Sequence, residues 1–428
     1  MKRLALLWKA KLLSSKRVNA ALVSILITIT LALSGATAVH GAGVIATIAV
    51  GDTPSGVVYD SGNGEIFVFS DVSSAVSVIS DSSNTVVATV NVGFFPLTVT
   101  YDSGRGELFE ISVFGSVSVI SDSNNSVVAT VPAGGAADMA YDSGKGEVFV
   151  TNPNSGNVSV VSDSNNNVVA KIPVGVSPGN LAYDSGRGEI FVANQNSGTV
   201  SVISDSSNTV VANITVGKFP LGVLYDSGNG EIFIANGGSG TISVISDSSN
   251  SVVATVPVGG EPVGGVYDSG MGEIFVPNVE SNTVSVISDS SNTVVATVNV
   301  GNTPHANSIV YDSGNGEIFL TTTNSSTVSV ISDKSNTLVA TIPIGETPLG
   351  VAYDSGMGEI FVANAYSGTV SVISDASITS ASPSPTTSTS PSPTVPEFSA
   401  AALILVMALA VVIAVTFVRL KSKRRGLL

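Results

Sequence analysis

The tetrapeptide Tyr-Asp-Ser-Gly occurs eight times, at Tyr59, Tyr101, Tyr141, Tyr183, Tyr225, Tyr267, Tyr311 and Tyr353. Consecutive copies lie 40 to 44 residues apart, most often 42. A fixed period of this length marks a chain built from one supersecondary unit that cannot bury its apolar surface alone. Within one copy, four short runs stand out at 222–226, 231–235, 241–246 and 251–256. All are rich in β-branched or aromatic residues, several alternate polar with apolar, and Gly, Asn, Asp and Ser clusters divide them. That pattern predicts strands, four to a unit, and no run shows a useful helical period. Four antiparallel strands in about 42 residues match one blade of a β-propeller.

Counting the pieces separates a ring from an open stack. Eight Tyr-Asp-Ser-Gly turns are matched by eight Ser-Val-(Ile/Val)-Ser-Asp segments, the last being Ser371–Asp375. Only seven fourth strands follow, starting near Val86, Val127, Val168, Val210, Val252, Val294 and Leu338. The missing one has its counterpart at the other end, Gly43-Val-Ile-Ala-Thr-Ile-Ala-Val-Gly51. The sequence therefore predicts an all-β, eight-bladed propeller over 43–375. Residues 44–50 complete the last blade, which removes the edges an open stack would expose.

The units resemble the YVTN-type β-propeller repeats of archaeal surface proteins. The matching tetrapeptides are Phe149-Val-Thr-Asn152, Phe191-Val-Ala-Asn194, Phe233-Ile-Ala-Asn236, Phe275-Val-Pro-Asn278 and Phe361-Val-Ala-Asn364. The Thr-Val-Ser-Val-Ile and Val-Val-Ala-Thr-(Val/Ile)-Pro-Val-Gly stretches match as well, and the likeness covers 43–375. Three units lack the Asn: Phe67-Val-Phe-Ser70, Phe109-Glu-Ile-Ser112 and Phe319-Leu-Thr-Thr322. The repeats also look similar to those of streptogramin-lyase relatives, which need several convergent catalytic groups including His.

The two ends read as an address. Lys2 to Arg17 is a basic stretch, Ala20 to about Leu33 is apolar, and Ser34-Gly35-Ala36-Thr37-Ala38 is a small-residue run. This is the layout of a secretory signal (1–38) cleaved after Ala38; an uncleaved anchor is the alternative. Residues 376–398 form a stalk, Ser/Thr/Pro repetition up to Pro396 with too little apolar surface to pack, and so read as an extended spacer. Residues 399–418 are uncharged and, at about 1.5 Å per residue, long enough to cross a ~30 Å hydrocarbon core. The basic tail 419–428 follows, which orients the C-terminus to the cytoplasm. Pro396-Glu397-Phe398, then the helix, then the basic cluster resemble the archaeal Pro-Glu-Phe sorting tails. That resemblance implies exchange of the helix for another anchor; a permanent single span is the alternative.

Charge narrows the function. Residues 43–375 hold 31 acids against six cations, so phosphate backbones are repelled and nucleic-acid binding is excluded. There is no Cys, and His40 and His305 are the two histidines, so neither thiolate chemistry nor a histidine cluster can be assembled.

In a four-stranded blade, the first-to-second and third-to-fourth turns share one face of the ring. The second-to-third loop and the connection to the next blade share the other. The first face is nearly constant, Asp-Ser-Gly-x-Gly-Glu and Ser-Asp-x-x-Asn. Its carboxylates could hold calcium, although Asp-Ser-Gly-x-Gly also reads as a plain hairpin turn. The second face varies, which is expected of binding loops and equally of drifting loop tips. Its distinctive residues are Phe94, Phe95, Phe114, Lys218, Phe219, His305 and Tyr366, with His305 read as a solvated loop residue. Sequons at Asn124, Asn157, Asn213 and Asn324 are candidate glycan sites.

Together these readings describe a non-enzymatic propeller outside the cell, a scaffold or binding module contacting envelope proteins, surface glycans or copies of itself. An extracellular lyase or hydrolase at the varied face, and an acidic divalent-cation module, are the competing readings. Trp8 is the single tryptophan. If the leader is removed, protein isolated from the cell envelope shows tyrosine emission alone; tryptophan emission would show that the leader is retained.

Overall fold

The computed structural model describes residues 42–135, 137–302 and 304–375. The leader, stalk, apolar span and basic tail lie outside the described residues. Eight four-stranded antiparallel sheets follow one another around a central channel. In blade 1 the strands are Pro54–Asp60, Glu65–Ser70, Ala75–Ser80 and Thr85–Asn91, in order from the channel outward. The four runs picked out at 222–226, 231–235, 241–246 and 251–256 are strands Pro220–Asp226, Glu231–Asn236, Thr241–Ser246 and Ser251–Pro257. Among the described residues the helical structure is one 3-10 turn, Thr323–Ser325, and no helix is long and apolar enough to cross a membrane.

Burial follows strand position. The middle two strands are covered on both faces by neighbouring blades, so their apolar runs are continuous rather than alternating. The outermost strand has one solvated face and alternates, as in Asn167–Pro173. Each apolar cluster spans a seam between blades. Ile66, Val68 and Ile79 of blade 1 pack on Phe361, Val370 and Val372 of blade 8. Phe67, Val76 and Val78 of blade 1 pack on Leu108 and Ile120 of blade 2. Full burial of such a side chain stabilises by about 1.5–3 kcal/mol, and none of it is available to a lone blade.

The ring closes as the strand count requires. Gly43–Ala49 pairs antiparallel with Thr369–Ser374 and becomes the fourth strand of blade 8. In the other seven blades the third-to-fourth ladder carries one register shift, as between Val78 and Ile79. The closing strand reproduces it between Val44 and Ala46. A bulge bends a strand and increases its twist, so the borrowed strand carries the same twist device as the native ones.

Both ends of the ring lie on one face, because Gly43 stands opposite Ser374 and the described chain leaves at Asp375. We expect deletion of 43–51 to lower the melting temperature by several degrees, since it strips Ile48 from the core and bares the edge of Thr369–Ser374. Deletion of 376–395 should leave it nearly unchanged. Equal effects in a calorimetric comparison would contradict closure by this strand.

Candidate functional site

The constant face owes its repetition to contacts across the seams. The first acid of each Asp-Ser-Gly-x-Gly-Glu turn is fully buried, and all eight cap a turn amide directly, Asp60 Oδ1 accepting from Gly62 N–H at 2.7 Å. The tyrosine of the next blade reaches back to it. Tyr101 donates to Asp122 of its own blade at 3.2 Å, with Asp60 of the preceding blade beside its hydroxyl. The same arrangement joins Tyr59 to Asp354 across the closing seam. Burial, and next the preceding blade's carboxyl, keep all eight phenols protonated far above the usual range, with Tyr59 and Tyr225 at about 12. The first turn glycine leaves room for this approach: a Cβ on Gly228 would come within 2.4 Å of the Tyr267 hydroxyl.

The remaining turn residues serve the same seams. Asn84, Asn125, Asn208, Asn250, Asn292 and Asn336 adopt the left-handed conformation that Asn tolerates. Each donates its side-chain amide to the glutamate of the preceding blade, as Asn125 does to Glu65 at 3.2 Å. The acids read as a candidate calcium set are thus engaged in turns and seams. Among the described residues no group of three acids or histidines lies close enough to hold a metal. The five asparagines of the YVTN-like tetrapeptides are also buried, and tie the second strand to the third, as Asn194 does to Ser201 at 3.0 Å.

The varied face is built differently. Thr53, Phe95, Ser177, Phe219, Glu261 and Thr347, each just before a proline, have φ between 53° and 58°. For these side chains, and before proline, that backbone is strained by about 1–3 kcal/mol. What holds it is a bond from the second-to-third loop: Asp71 N–H donates to Thr53 C=O, and Val113 N–H to Phe95 C=O, both at 3.0 Å.

Of the candidate residues, the structure brings three together. Phe94 and Phe114 are 68% and 73% exposed, and the Phe95 and Phe114 rings meet edge to face at 6.4 Å. Exposed Leu97 and Val113 adjoin them in sequence, making blade 2 the most apolar part of this face. Lys218 and Phe219 are exposed on the connection into blade 5, and Tyr366 is exposed on blade 8. His305 departs from expectation: its backbone falls within the first strand of blade 7, Pro304–Asp312, whose register shifts between Pro304 and Ile309, where this repeat carries two extra residues. Asn124, Asn213 and Asn324 are exposed; Asn157 is half-buried and accepts a bond from Asn152 at 3.0 Å.

Sequence reasoning missed the mouth of the channel. A cavity of about 520 Å³ opens there between the inner strands of blades 8, 1, 2 and 3. Asp71 and Asp138 line it. The Asp138 carboxyl accepts from Met139 N–H at 2.9 Å. Burial in the channel pushes it up to about 7, with Leu181 N–H, the Thr98 hydroxyl and the Asn180 amide offsetting part of that rise. Burial also raises Asp71, to which the Ser55 hydroxyl donates. The signal was present in the third residue before each repeat tyrosine, which is Gly, Thr, Asp, Asn or Ser from blade to blade.

Glu110 was also missed. It occupies the position of Val68 and Leu320, fully buried toward blade 1, and neither carboxyl oxygen makes a well-formed hydrogen bond although Ser118 stands opposite.

No protein-family model matches the chain, and no curated protein matches its sequence. Solved structures do match. Dihydro-heme d1 dehydrogenase NirN aligns with a TM-score of 0.64 at 14% identity, over 74% of this chain and 72% of that one. The computationally designed Ika8 protein aligns at 0.64 and 9%, over 76% and 98%. Hydrazine synthase of Kuenenia stuttgartiensis aligns at 0.54 and 14%, over 76% and 96%. At these identities the likeness shows the propeller fold alone.

Glu110 provides a pH test. Burial raises its carboxyl from 4.5 to about 8, so ionisation opposes folding increasingly as pH rises between those values. We expect Glu110→Leu to be more stable than the native protein, by a margin that grows from about pH 5 to about pH 8. A margin independent of pH in thermal melts would contradict this assignment.

Proposed function

We propose that the protein is a non-enzymatic binding module held outside the cell, presenting the varied face of its propeller to other envelope proteins or surface glycans. The observation that carries this reading is the shared exit of both ring ends on the constant face, with Gly43 opposite Ser374. A propeller attached through residues 376–428 then turns its varied face away from the point of attachment. On that outward face lie the exposed rings of Phe94, Phe95 and Phe114, the kind of contiguous apolar surface that marks a contact site. The leader, stalk and apolar span in the sequence support export and anchoring, and the acidity of 43–375 disfavours nucleic acid.

A lyase or hydrolase at the channel mouth has one observation in its favour. The Asp138 carboxyl titrates near neutrality inside a cavity, as an acid–base group would. Against it stands the absence of any other proton-transfer group brought to that carboxyl among the described residues except Asp71.

Cross-linking of intact cells with carboxylate-reactive chemistry tests the proposal, because Asp52, Glu261, Glu280 and Glu346 place reactive groups on the varied face. We expect links from these residues to a second envelope component, reduced by paired Phe94→Ser and Phe114→Ser substitutions. Links confined to the Asp-Ser-Gly-x-Gly-Glu turns would contradict the outward orientation.

A further inference from the structure

The blades are near copies, so a residue that departs from its seven counterparts is conspicuous. Phe69 is the sole aromatic at its position in the repeat, Asp71 the sole acid at its own, and Asp138 the sole acid at a third. They come from two separate segments in two blades, Phe69 and Asp71 at the end of one strand and Asp138 at the start of another, yet all three line the one cavity at the channel mouth. Drift would scatter such departures around the ring. Here they converge on a space of about 520 Å³, within the ~300–1,000 Å³ range of small-molecule sites.

The chemistry of the walls selects the occupant. Two carboxylates face the space and, among the described residues, no Lys, Arg or His lines it, so an anion is repelled. Thr98, Asn180 and the amides of Met139 and Leu181 hold Asp138, Ser55 holds Asp71, and no charged group opposes either acid among the lining residues. A carboxylate has about four lone-pair sites, so each acid keeps acceptor capacity for a ligand. Val57, Leu97 and Leu349 offer apolar contact, and Phe69 an aromatic ring of the kind that attracts a cation. A hard metal ion wants about six or more oxygen ligands, and no third acid or histidine joins this pair among the described residues. Two charges, one ring and apolar walls fit a cation that carries its own hydrocarbon.

We infer that the channel mouth between blades 8, 1, 2 and 3 binds a small organic ammonium compound, its charge between Asp71 and Asp138 and its apolar body against Phe69 and the surrounding Val and Leu side chains. This deepens the reading of the varied face as the contact face and rests on it.

The test is titration calorimetry on the full-length protein in detergent, with phenethylammonium as probe and 2-phenylethanol and glucose as neutral controls. Phenethylammonium should bind one per chain at about pH 8, with 2-phenylethanol at least about tenfold weaker, since only one of the pair carries charge. Asp138→Asn and Asp71→Asn preserve shape and should each weaken the amine about tenfold or more. If either variant fails to fold, Phe69→Leu should still weaken it several-fold. Near pH 5, where Asp138 is protonated, the native protein should lose affinity by a similar factor. Equal binding of amine and alcohol, preference for glucose, or indifference to all three substitutions would overturn the inference. If the amine fails to bind while cross-links still map to the varied loops, this inference falls and the contact-face reading stands. If cross-links map elsewhere and the amine still binds with these dependences, the cavity assignment holds by itself.

Discussion

A four-stranded blade of this chain has two apolar faces and no means of covering either. The Phe67 and Val78 side of blade 1 needs Leu108 and Ile120 of blade 2, and its Ile66 and Val68 side needs Phe361 and Val372 of blade 8. Mutual burial across seams is therefore the condition on which everything else rests, and it is met for all eight blades only when the ring is complete. The seam chemistry on the constant face follows from the same geometry. Carboxylates that would repel one another on an open surface are each given a phenol, an asparagine amide or a turn N–H. An acidic protein with few cations can then still close a tight ring.

The two faces differ because they answer to different demands. On the constant face the tyrosine, aspartate, glutamate and asparagine of the turns reach the neighbouring blade, so a change at one of them disturbs a seam. On the varied face the connection between blades is pinned to its own blade, by the bond from Val113 N–H to Phe95 C=O and its equivalents. Backbone conformation there is fixed even at the expense of a strained φ, while the side chains are free to change. Phe94, Phe114 and Tyr366 are the visible result, and Asp71 belongs to the same set of loops.

Most of the architecture was legible in the sequence because the governing quantities are local and repeated eight times. Strand length, turn chemistry and the tally of fourth strands are all set within about 42 residues of chain. The surplus Gly43–Gly51 segment revealed closure by simple bookkeeping of strands. What escaped is what depends on convergence in space. Asp138 reads as one more variable residue until the inner strands meet around the channel and set it beside Thr98 and Asn180. Glu110 sits in an apolar run whose only mark in the sequence is its departure from the Asn-ending tetrapeptide, and its burial is decided by blade 1, not by its own neighbours. The proline beside His305 suggests a loop, whereas blade 7 takes up its two extra residues as an irregularity within the strand, between Pro304 and Ile309.

The arrangement of blade 8 has a mechanical corollary. Its third strand, Thr369–Ser374, lies between Glu359–Asn364 on one side and Gly43–Ala49 on the other, and the described chain leaves it directly at Asp375. Tension applied at that point and drawn away from the constant face acts along the strand axis. It meets two antiparallel ladders side by side, whose bonds must slip together instead of parting one after another. A pull at Asp375 therefore loads a strand held on both sides in shear, and does not start an unravelling from a free edge.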